Sequence, residues 1–94
     1  MNSANAVAKL SALAHGTRLD VVRELAKSPE GLQASVLADR LKLQRSALSN
    51  HLKTLSTAGL IKGKTSGRTI TYRLVGPAMA QLGDLLTSLA PNQR

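Results

Sequence analysis

The sequence predicts a mainly α-helical domain carrying a small β-hairpin, in the order α-α-α-α-β-β-α. Three observations predict it. Apolar residues recur at helical spacing along most of the chain, including both ends. A short helical stretch, Ala34 to Leu41, is followed after three residues by a longer one, Arg45 to Ala58, which is the pattern of a helix-turn-helix. A Gly-, Ser-, Thr- and Lys-rich segment then leads into Thr69 to Leu74, where apolar and polar residues alternate as in a strand. Helix-turn-helix followed by hairpin is a winged helix-turn-helix. With 94 residues the chain is read as one such domain, residues 1–94, because a core of this size does not divide.

Taken in order, Ala6, Val7, Leu10, Leu13 and Ala14 give a first amphipathic helix after Asn2-Ser3. Gly16 interrupts it. Thr17 fits an N-cap for the second helix, with Asp20 placed to answer as in a capping box. Leu19, Val22, Leu25 and Ala26 form its apolar stripe, and Ser28-Pro29 stops it. The third helix turns Val36, Leu37, Ala38 and Leu41 inward, and small Ala38 lets the next helix cross closely. Lys42-Leu43-Gln44 is the turn, and Gly59 stands where a left-handed cap ends the fourth helix. Leu60-Ile61-Lys62 reads as a short strand and Gly63 to Gly67 as the hairpin turn. On the second strand Ile70, Tyr72 and Leu74 share one face, and Thr69, Thr71 and Arg73 the other. Gly76-Pro77 opens the last helix, whose apolar side is Met79, Leu82, Leu85, Leu86 and Leu89.

Charge is distributed unevenly over this scaffold. The net charge is +8, and between Arg40 and Gly83 there are eight Lys or Arg residues and no Asp or Glu. All five acids (Asp20, Glu24, Glu30, Asp39, Asp84) fall outside that window. An uncompensated basic field on a small scaffold points to a polyanion, and first to double-stranded DNA. Tyr72 is the one aromatic residue, so the several stacking rings of a single-strand reader are missing. The chain has no cysteine, which excludes disulfides, thiolate metal sites and thiol switches. Met1 to Ala14 lacks the basic start and long apolar run of a signal peptide, and no stretch approaches the roughly 20 apolar residues of a membrane span. The expectation is a cytoplasmic protein with no membrane partner and no cofactor.

The fourth helix can be read by angle. With Leu48 at zero and about 100° per residue, Leu52 and Leu55 fall within about 40° of it, whereas Ser46, Ser49, Asn50 and Lys53 lie on the opposite side. Arg45 stands at the margin. Asn pairs with adenine, Arg with guanine, and Ser with donor or acceptor edges, so this face has the chemistry of major-groove readout. A merely solvated face would carry Glu–Lys pairs at i,i+4 spacing, and here there is no carboxylate. Lys62, Lys64, Arg68 and Arg73 surround the hairpin, which can lie on the backbone or place Arg68 in a minor groove.

Leu13-Ala14-His15-Gly16-Thr17-Arg18-Leu19, Leu37-Ala38 through Leu43, Ser49 to Leu55, Ala58-Gly59-Leu60-Ile61, and Gly67-Arg68 with Tyr72-Arg73-Leu74 together resemble the ArsR/SmtB winged helix-turn-helix repressors. The resemblance covers about Leu10 to Leu74. It implies a homodimer joined by the terminal helices, about residues 4–15 and 77–89, with Val7, Leu10, Met79, Leu82, Leu86 and Leu89 at the interface. It implies binding to an imperfect palindrome and repression of a nearby promoter. Carried over by position, Arg45, Ser46, Ala47, Ser49, Asn50 and His51 occupy the DNA-facing part of the recognition helix. Asn50 departs from the family's usual Arg or Gln, and Lys42 stands where a turn Gly is common. Metal-responsive members use Cys, His and carboxylate clusters. This chain offers only His15, His51 and, on its last helix, Asp84, so no metal site is expected. His51 is better read as a phosphate or helix-packing partner and His15 as structural. An effector, small molecule or protein, stays open. No nucleophile elbow, phosphate-cradling loop or paired carboxylates suggest an enzyme. The rival reading is a winged helix that docks an acidic protein partner.

Overall fold

The computed structural model describes residues 1–92; residues 93 and 94 of the expected domain lie outside the described residues. The elements are α1 (Ser3–Leu13), α2 (Gly16–Ala26), β1 (Leu32–Gln33), α3 (Ala34–Leu41), α4 (Arg45–Thr57), β2 (Ile61–Ser66), β3 (Thr69–Leu74) and α5 (Gly76–Leu89). The expected order holds, with one addition. β1 is too short for any periodicity, and it pairs antiparallel with β3 through Leu32–Tyr72 and Gln33–Thr71. The sheet is therefore three-stranded, in the order β1-β3-β2.

Local chemistry explains most boundaries. Asn2 caps α1 by accepting the Asn5 N–H at 2.8 Å. α2 begins two residues earlier than expected: the cap is His15, whose Nδ1 accepts the Thr17 N–H at 3.2 Å. The Thr17–Asp20 capping box does not form, because the imidazole already satisfies that amide. Lys42 takes the left-handed conformation (φ 55°, ψ 48°) that ends α3, and the Leu43 N–H closes the turn on the Ala38 carbonyl at 2.9 Å. Gly59 (φ 80°) ends α4 as expected.

The hairpin is longer than the sequence suggests. Gly63 to Ser66, expected as turn, pair along β3 from Tyr72 to Thr69, so the loop is Gly67-Arg68 alone. Gly67 supplies the positive φ (61°) that a two-residue hairpin loop takes at its first position. Glycine suits this strand position because a side chain there would be crowded. A Cβ there would stand 2.9 Å from Ile70 Cγ2 and 3.1 Å from Tyr72 Cε1.

The core lies where α2, α3 and α4 meet the base of the sheet. Val21, Leu25, Leu37, Leu48, Leu55 and Leu60 are its fully buried side chains. α2 buries Val21, Val22 and Leu25, whereas Leu19 and Ala26, expected in its stripe, are exposed. The terminal helices attach to this core unequally. α5 docks through Ala78, Met79 and Leu82 and leaves Leu86 and Leu89 53% and 71% exposed. α1 buries Ala6 and Ala12 and leaves Val7 64% exposed. No helix is long and apolar enough to cross a membrane.

Candidate nucleic-acid interface

α4 is fixed from behind by Leu48, Leu52 and Leu55, which are buried. That anchoring orients the opposite side outward: Arg45, Ser46, Ala47, Ser49, Asn50 and Lys53 are all exposed. The Arg45, Ser46, Ser49 and Asn50 side chains make no hydrogen bond within the described residues, so their donors and acceptors are free. Neither Gln33 nor Gln44 caps its helix, which leaves the first amides of α3 and α4 open beside this face.

Between α4 and the hairpin runs a cleft of about 560 Å³. Gln33, Ala34 and Ser35 line it from the start of α3, and Arg45, Ser46 and Ser49 from α4. Arg68, Thr69, Ile70 and Tyr72 form the hairpin wall. The fold thus brings Arg45, Ser46, Ser49 and Arg68 together. Gln33 and Ser35 escaped the sequence reading, because only the β1–β3 pairing carries the start of α3 to the hairpin. Ile70, on the apolar face of the second hairpin strand, lines this cleft and is 41% exposed.

Lys62, Lys64 and Arg73 are placed differently. Strand alternation puts them on the hairpin face opposite Ile70 and Tyr72, all three exposed. Lys62 is directly across from Arg73, a like-charge pair that weakens a ladder unless something intervenes. Arg73 turns its Nη2 to the Glu30 carbonyl at 3.4 Å. Of the eight cations in the acid-free window, Arg40 is paired, reaching Glu24 at 3.5 Å. Lys42, Arg45, Lys53, Lys62, Lys64 and Arg68 make no ion pair among the described residues.

Two expected assignments change. His51 does not join the outward face of α4: it is half-buried on the flank, its ring 4.7 Å from that of His15. That burial first, then the nearby His15 and Arg18, holds its pKa below the ordinary histidine value. Leu82, expected at a dimer interface, is 4% exposed within its own subunit and belongs to the core, because α5 rests on the body at that turn. Val7, Leu10, Leu86 and Leu89 remain open, and Met79 is partly buried against the core. Among the described residues no three His, Asp or Glu side chains converge as a metal ion requires, so the family's metal chemistry does not fit this donor set.

A helix-turn-helix whose second helix presents a free polar face beside a basic hairpin defines the winged helix-turn-helix class of DNA-binding domain. A family model described as a helix-turn-helix domain matches residues 13–64. The transcriptional regulator NmtR of Mycobacterium tuberculosis is 35% identical over 82 residues, covering 87% of this chain and 67% of that protein. The transcriptional activator HlyU of Vibrio cholerae is 35% identical over 88 residues, covering 94% and 80%. Among solved structures, an ArsR-like transcriptional regulator from Rhodococcus sp. RHA1 superposes with a TM-score of 0.81 at 31% identity, covering 92% of this chain and 79% of that one. The chain belongs to the ArsR/SmtB family of winged helix-turn-helix transcriptional regulators.

Proposed function

We propose that the chain acts as a homodimeric repressor on an imperfect palindrome in double-stranded DNA, with α4 in the major groove and the hairpin against the backbone or minor groove. The observation that supports this reading is a free polar face on α4 beside a hairpin, in a stretch of chain without Asp or Glu whose Lys42, Arg45, Lys53, Lys62, Lys64 and Arg68 make no ion pair among the described residues. Ser46, Ser49 and Asn50 read base edges, and Arg45 and Lys53 flank them. Arg68 at the hairpin tip reaches for the minor groove, while Lys62, Lys64 and Arg73 contribute field and backbone contacts.

The exposed apolar residues of α1 and α5 support a dimer. Val7, Leu10, Leu86 and Leu89 lie open to water, and a second copy would remove them from it. Two subunits then address half-sites about one helical turn apart. Relatives carry both signs of control, since HlyU is named an activator and SmtB of M. tuberculosis a repressor. Repression is the simpler output, because occupancy alone blocks a promoter whereas activation needs a further contact surface. The proposed lifting signal is something other than a metal ion, since among the described residues no third ligand joins the two imidazoles.

Selection of bound fragments from a random duplex pool at near-physiological salt tests the reading. The expected product is one motif with twofold-related halves. If four cations per subunit touch phosphates, the log–log salt slope of a dimer approaches about −7. A pool that yields no motif, or affinity indifferent to salt, overturns the proposal.

A further inference from the structure

The corner where α1, α2 and α4 meet holds two imidazoles and a guanidinium. His15 uses Nδ1 to accept the Thr17 N–H at 3.2 Å and so caps α2. Its ring lies 4.7 Å from that of His51 on α4. Arg18 donates from Nε to the Ala12 carbonyl at 2.5 Å, which pins a permanent cation at the same corner. The other charged groups on these helices are Lys9 on α1, Asp20, Arg23 and Glu24 on α2, and Arg45 and Lys53 on α4. Of these, Glu24 is paired with Lys27 and Arg40, and among the described residues no carboxylate pairs with either imidazole.

We propose that this corner is an acid-sensitive seat for the recognition helix: protonating the His15–His51 pair breaks the cap of α2 and loosens α4 from the α1–α2 corner, so that DNA is released as the pH falls below neutrality. The proposal rests on the DNA-binding reading above.

The chemistry is direct. An imidazole accepts at Nδ1 only while that nitrogen is bare, and the protonated ring has two donors and no acceptor. A proton on His15 Nδ1 therefore removes the side-chain cap of α2. It also sets a positive charge at the positive end of the helix dipole. A proton on His51 adds another charge one ring away, near Arg18, where no carboxylate among the described residues pairs with it. Neutral His51 is favoured: half-burial first, then His15 and Arg18, hold its pKa below the ordinary histidine value. The sign follows. A histidine held below its unfolded value stabilises the fold fully above pH about 6.5, and that contribution is lost as pH falls through and below this value.

His51 is the neighbour of Asn50 on α4, so a shift of the flank is a shift of the reading face. Simple electrostatics gives the opposite response, because protonated imidazoles attract phosphates. The sign of the pH dependence thus separates the two mechanisms.

The test measures affinity for the selected duplex by fluorescence anisotropy from pH 7.5 to 5.5 at constant ionic strength. In parallel, NMR follows both imidazoles in the DNA-free chain. The wild type should bind about fivefold or more weakly at pH 5.5, the lower range of allosteric couplings. His15→Asn keeps a cap acceptor that does not titrate. Alone or with His51→Gln, it should lose the acid-dependent fall, and His15→Asn should raise the pKa of His51. Affinity that is flat or rises on acidification, or a fall that survives in the double variant, overturns the proposal. If no duplex binds at any pH, the DNA reading fails by itself. The free-protein titration then decides the corner, and an unmoved His51 in His15→Asn overturns it.

Discussion

Lys42→Gly should stabilise this protein, although it removes a side chain and a charge from its most functional neighbourhood. Among the described residues Lys42 is the one non-glycine with positive φ, at 55°, in the turn between α3 and α4. Its Cβ crowds the backbone there, at a cost of roughly 1–2 kcal/mol for an L-residue. Glycine removes that cost and restores chain entropy to the unfolded state, which takes back about 0.5–1 kcal/mol. The side chain is exposed and forms no ion pair among the described residues, so little else is lost. The net gain centres on about 0.75 kcal/mol, or a Tm rise of about 3–6 °C for a domain this small. Thermal melts of Lys42→Gly and Lys42→Ala isolate the backbone term, because both remove the charge and only glycine removes the strain. Glycine should melt above alanine, and alanine at or slightly below the wild type. A Gly variant no more stable than the Ala variant would refute the strain argument. In DNA titrations both variants should lose the same small share of salt-dependent affinity.

Gly31 is the reverse case. At φ 96°, an added Cβ would stand 2.6 Å from Thr71 Cγ2 and 2.8 Å from the Tyr72 carbonyl oxygen, so Gly31→Ala should cost more than about 2 kcal/mol in urea unfolding. Asn50→Ala should weaken operator binding by roughly 1–3 kcal/mol and relax selectivity at one base pair; equal losses on specific and random DNA would make Asn50 a backbone contact. Leu86→Glu should convert a sedimenting dimer to monomer while leaving the melt of the subunit nearly unchanged. Leu82→Ala should instead cost about 2–5 kcal/mol in unfolding, because Leu82 is a core residue.

Much of the fold was legible because its signals are local. The apolar spacing of Leu48, Leu52 and Leu55 oriented α4, and alternation from Ile70 to Leu74 marked a strand. Two of the differences come from interactions between residues distant in the chain, and a third from a local competition between caps. β1 exists only because β3 offers it a partner, and Gly63 is strand rather than turn because it pairs with Tyr72 of β3. His15 displaced Thr17 as the cap of α2 by two residues of reach, a competition that residue preferences do not rank.

The sequence by itself determined the charge asymmetry, the five helices, the hairpin and the polar side of α4, since periodicity and composition are properties of neighbours along the chain. Tertiary packing decided which of those residues work together. It brought Arg68 to Arg45 across one cleft and turned Lys62 and Lys64 to the other face of the hairpin. It also drew Leu82 into the core and set His51 against His15, residues 36 positions apart. Such choices depend on strand register and on which helix face meets which neighbour. Those are settled by burying apolar surface across long loops, where no local pattern in the chain carries the answer.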